Sequence, residues 1–64
     1  MDYTAKLARF NEAILAYEDA LADYRRAKKA AGDGEVSLAV VEEAREEVLA
    51  AHARFGEADR ALNA

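Results

Sequence analysis

Large apolar residues recur along the whole chain at alternating intervals of four and three, and the pattern breaks once, at Gly32-Asp33-Gly34. In the first half the stripe is Tyr3, Leu7, Phe10, Ile14, Tyr17, Leu21 and Tyr24. Such spacing keeps one face of an α-helix apolar over many turns, with Leu7, Ile14 and Leu21 at heptad position a and the aromatic residues at d. Lys28 continues the a row and Ala31 the d row. In the second half Val41, Val48, Phe55 and Leu62 hold a, while Ser37, Ala44, Ala51 and Ala58 hold d.

Two apolar stripes on either side of a glycine-rich turn predict an antiparallel two-helix hairpin. Its fold class is all-α and coiled-coil-like, with helix 1 over about 3–31, a turn at 32–36 and helix 2 over about 37–62. The stripes can be checked against each other, because in such a pair every a residue faces a d residue. From Lys28 opposite Ser37 out to Tyr3 opposite Leu62, the residue numbers of each facing pair add to 65. A bulky side chain on helix 1 repeatedly meets Ala or Ser on helix 2, which lets the helices approach closely.

Local signals agree. Asp2 and Ser37 are expected N-caps, Val36 and Val41 the two halves of a hydrophobic staple, and Gly32 the left-handed residue that ends helix 1. Seventeen alanines and no proline favour helix throughout. Gly56 is the weak point of helix 2, at roughly 1 kcal/mol relative to Ala, but Ala58 and Leu62 carry the stripe past it. Across the seam, Glu18 should pair with Arg45, Asn11 should face His52 and Thr4 should face Asp59.

One seam is thin for a chain of 64 residues. Domains this small usually need disulfides, a metal or association. Cysteine is absent and there is one histidine, so association is the expected remedy, in a four-helix bundle or a larger helical assembly. Outside the seam, Ala8, Leu15 and Ala22 line one flank with Leu38 and Leu49, and these five residues are the expected partner interface. Ala13, Ala20 and Ala27 line the other flank, opposite Val40, Glu47, Arg54 and Ala61. The expected partner is a second copy, another protein, or both.

Little in the sequence points to chemistry. His52 has Asn11 as its expected neighbour, with no nucleophile or acid to act through. The pairs Asp19/Asp23, Glu42/Glu46 and Glu43/Glu47 lie off the seam, and the Glu-x-x-His motif of bundle metal sites is missing. The tyrosines belong to the core stripe, and Gly32-Asp33-Gly34 lacks the strand and lysine of a phosphate loop. The expectation is therefore a non-enzymatic protein with no metal, cofactor or small-molecule substrate. Arg25, Arg26, Lys28 and Lys29 form the one basic cluster and are the candidate contact for nucleic acid, the alternative reading. The net charge of −4 weighs against that reading and against an anionic membrane surface. No apolar run is long enough for a membrane span or a secretory segment, so a cytoplasmic location, or one within a soluble assembly, is expected.

Ala8-Arg9-Phe10 early in helix 1 and Ala53-Arg54-Phe55-Gly56 late in helix 2 resemble short strings in the small plasmid RNA-binding hairpins of the Rop type. Length, acidic balance and a single turn are similar too, and the resemblance implies dimerisation into a four-helix bundle. The RNA-contacting face of that family, built around an exposed Phe on helix 1, has no counterpart here, because Phe10 is a seam residue. Short, cysteine-free helical chains also serve as accessory or structural parts of larger particles, including small virion components of phages, and a role of that kind is the leading expectation.

Overall fold

A computed structural model describes residues 2–64 as two helices, α1 (Tyr3–Gly32) and α2 (Leu38–Asn63), packed against each other as a hairpin. The rod measures 48 × 13 × 12 Å. Its length is that of α1 alone, since 30 helical residues at about 1.5 Å each span about 45 Å.

The start of α1 is capped as expected. The Asp2 carboxylate accepts a hydrogen bond from the Ala5 backbone N–H at 2.8 Å, satisfying a donor the first turn leaves free. The end of α1 lies further along than expected. Gly32 remains helical, Asp33 is the C-cap, and Gly34 takes the left-handed conformation with φ +77°. The Gly34 N–H donates to the Ala31 carbonyl at 3.1 Å and the Glu35 N–H to the Ala30 carbonyl at 2.8 Å. These two bonds make a Schellman closure on Gly34. The spacing Gly-Asp-Gly offers two places where a positive φ is tolerated. Closing at the second carries α1 one residue beyond the expected 31, to Gly32, and still satisfies its last carbonyls.

Ser37 occupies the N-cap position of α2 with extended backbone, but its hydroxyl makes no capping bond. Its carbonyl instead accepts from the Val40 N–H at 3.1 Å, a tight first turn. Val36 and Val41 are both half-buried beside it. Helix α2 runs through Gly56 without a break to Asn63, whose side-chain amide donates to the Asp59 carbonyl at 3.0 Å.

The core is made of methyl groups. Among the described residues only Ala20, Ala51 and Ala58 are buried, and no large side chain is fully covered. Around them Phe10, Ile14, Tyr17, Leu21 and Tyr24 of α1, with Val41, Val48, Phe55 and Leu62 of α2, are half-buried. The chain exposes 4700 Å², where a compact 7.0 kDa protein exposes about 4000 Å². Ala20 belongs to the row expected to flank the seam, and its neighbours Ala13 and Ala27 are half-buried. Helix α1 thus turns its alanine row in under α2, and Leu7 is left 37% exposed. The physical reason is size: a helix settles closest over methyls, and a row of them beside an aromatic row draws the contact toward itself.

Candidate association surfaces

The register of the hairpin is fixed by rings. Phe10 and Phe55, a facing pair in the sequence reading, lie with ring centroids 5.4 Å apart and planes tilted by 40°. Tyr17 extends the cluster, 6.1 Å from Phe55 and 5.5 Å from His52. These separations fall in the range where aromatic pairs contribute about 0.5–1.5 kcal/mol beyond the area they bury. His52 therefore stands beside Tyr17, and Asn11, its expected neighbour, is exposed.

The hairpin leaves two long faces. On the first, Leu15 is 61%, Leu49 55% and Leu38 76% exposed. Ala8 is exposed alongside them and Ala22 is half-buried. Leu15 and Leu49 are level with each other, about 26 and 25 Å from the turn at 1.5 Å per residue, close to the middle of the rod.

The second face carries two shallow, open depressions of about 380 and 460 Å³ that share Ala16 and Arg54. Alanines from both helices floor them, Ala13, Ala16 and Ala20 facing Ala51, Ala58 and Ala61. Arg9, Glu12, Arg54 and Glu57 rim one, and Asp19, Asp23 and Glu47 rim the other with Arg54. All these charged residues are exposed. Every one is solvated, so the depressions offer small apolar floors with wet edges and no desolvated acid or base.

Two of the four residues of the basic cluster have partners on their own helix. Arg26 pairs with Asp23 one turn back, the one ion pair among the described residues. The Lys28 ammonium sits 5.3 Å from the centre of the Tyr24 ring, a cation–π contact worth about 0.5–1 kcal/mol at an exposed site. Arg25 and Lys29 are exposed, and Lys29 lies in the last turn of α1, where the helix dipole favours a cation. Glu18 and Arg45 are both exposed and form no ion pair with each other. Holding two long, solvated side chains together gains little there. The paired carboxylates Asp19/Asp23, Glu42/Glu46 and Glu43/Glu47 are exposed as well, and no group of three or more His, Asp or Glu is gathered as a metal site among the described residues. No described helix is long and apolar enough to cross a membrane.

Two features escaped the sequence reading. The burial of Ala20 was signalled by the unbroken alanine row 13, 20, 27, one step from the aromatic row. The Lys28–Tyr24 contact follows from their spacing of four, which stacks side chains on one helical face. Comparison with protein-family models, with curated proteins and with solved structures finds no match for this chain. The likeness to the Rop-type hairpins therefore stands on architecture and the short strings alone.

Proposed function

We propose that this chain is a non-enzymatic association module, a hairpin whose work is to lie against other helices and most simply against further copies of itself in a four-helix bundle. The observation that carries this reading is the contrast between what the hairpin buries and what it leaves out. Three alanines are buried, while Leu15, Leu38 and Leu49 stand more than half exposed. Covering each leucine contributes on the order of 1 kcal/mol, a large share of what so small a core provides. A third and fourth helix laid along the rod would supply that cover, and docking on a larger helical assembly would do so equally. The nucleic-acid reading has less support, because Arg26 and Lys28 already have partners within α1.

The test is the solution mass of the chain from micromolar to millimolar concentration, with thermal unfolding followed in parallel. The expected result is a mass above 7.0 kDa and a midpoint that rises with concentration. Leu15→Glu and Leu49→Glu should each lower both while leaving helical content largely intact. A monomer at every concentration, melting cooperatively with the same midpoint in wild type and both variants, would end the self-association reading and leave docking on another protein.

A further inference from the structure

We infer that copies of the chain stack side by side with their turns at the same end, the leucine face of each rod lying in the alanine depressions of the next. This rests on the association reading above and names the face and the direction of the partner.

The two long faces are unlike, and what one lacks the other holds. The leucine face has bulk, with Leu15, Leu38 and Leu49 standing 61%, 76% and 55% exposed. The opposite face has room, and Ala16, Ala20, Ala50 and Ala51 floor its depression nearer the turn. Bulk seats more closely on methyls than on bulk, so each face fits the other better than it fits itself.

The heights match as well. At 1.5 Å per residue, that floor lies about 19–28 Å from the turn, and Leu15 and Leu49 about 26 and 25 Å from it. Leu38, at about 8 Å, is level with Ala27 and close to Val40 at about 11 Å. Val40 is 41% exposed, on the row of α2 that continues through Glu47 and Arg54 along the depressions. Rods set at one level therefore bring all three leucines against small or apolar side chains. A stable interface takes about 800 Å² from each partner, and the face is only 12–13 Å wide on a rod of 48 Å. The partner must follow most of that length, as a copy at the same level does.

Charge sets the direction. On the leucine face, heptad positions b and e near the turn hold Arg25, Lys29 and Arg45 with Glu18 and Glu42, and toward the open end Asp59 and His52. On the alanine side, Asp19, Asp23 and Glu47 rim the depression nearer the turn, with Arg54 shared and Arg9, Glu12 and Glu57 beyond it. Among the described residues Asp19 and Glu47 have no ion partner, whereas Asp23 holds Arg26. Turns at the same end set the three cations toward these acids, and Asp59 toward Arg9 and Arg54. Turning one rod end for end would set the cations toward Arg9 and Arg54, and Asp59 toward Asp23. Because the contact joins unlike faces, a pair still shows one free face of each kind. Addition then continues, or closes as a ring of more than two.

Two variants, each spoiling one face, test this. The first carries Leu15→Glu and Leu49→Glu and the second Ala50→Glu, all at exposed positions. The wild-type mass should pass twice 7.0 kDa as concentration rises, while each variant alone stays near 7.0 kDa with its helical content retained. An equimolar mixture should form a one-to-one pair and go no further, since each variant keeps the face the other has lost. With no cysteine in the chain, disulfide linkage within that pair reports its direction. Val40→Cys in the first variant should link to Leu38→Cys in the second. Ala61→Cys in place of Val40→Cys should not, and efficient linkage through it would overturn the common direction. The pairing of unlike faces would be overturned by a mixture no heavier than its parts, by wild-type mass for Ala50→Glu, or by a wild-type mass that stops at twice 7.0 kDa. Each of these leaves the association module standing. A wild-type monomer at every concentration would remove the stack and self-association together.

Discussion

At Gly34 the backbone takes φ +77°, a conformation in which a Cβ clashes with the following carbonyl at about 1–2 kcal/mol. Gly32, two residues earlier, is helical, and a Cβ added there would meet nothing within 4 Å. The two glycines therefore have opposite expectations. Gly34→Ala should destabilise the chain by about 1 kcal/mol or more, whereas Gly32→Ala should leave it unchanged or raise its stability by up to about 1 kcal/mol. Thermal or urea unfolding of the two variants at equal concentration checks this, and equal losses at both would place the helix end at Gly32 after all. The sequence made the turn plain and left its closing residue open, because Gly-Asp-Gly satisfies the closure at either glycine. The choice is made by backbone hydrogen bonds from Gly34 and Glu35, which residue identity alone does not order.

Along each helix, the facing surface was legible from the repeat, and the rings of Phe10 and Phe55 meet where the common sum of 65 puts them. The rotation of α1 about its own axis was not. A heptad stripe fixes which side faces the partner only to within about one position, and small residues on the boundary decide the rest. The buried Ala20 carries that decision, so size there is the sensitive variable. Ala20→Leu should cost about 1–3 kcal/mol through overpacking, while the same change at exposed Ala8 should cost much less. On α2, a Cβ at Gly56 would lie 3.5 Å from the mobile end of the Arg60 side chain, an ordinary contact. Gly56→Ala should therefore stabilise the chain, by up to about 1 kcal/mol. Unfolding midpoints for the three variants measure both statements. A Gly56→Ala loss would indicate that something else approaches the backbone there, as close packing of another helix would.

For the whole rod, fold and register could be read from residue order because both depend on periodicity, which survives without coordinates. The proposed association surface was legible only in part. Leu15, Leu38 and Leu49 stand out as apolar residues off the stripe, and the structure leaves them exposed. Ala22 is already half-covered within the hairpin, and the alanine row on the other side is drawn into the seam, so the two flanks are not the equal candidates that heptad lettering suggests. A single chain encodes a surface for a partner only as a distribution of exposed residues and charge.

The ring cluster has a mechanical consequence for this rod. Phe10 and Phe55 grip about 34 Å from the turn, well past its middle, and Tyr17 and His52 reinforce them on the side nearer the bend. The two arms thus resemble tongs with a clasp set toward the tips. Pulled apart by their free ends, the short tips between the clasp and Tyr3 and Leu62 should part first and gently. The arms would then hold until the clasp lets go, and the remaining length should follow in one jump. A tethered-ends extension trace should record that pause, and a smooth unzipping from tip to bend would mean the rings bear no load.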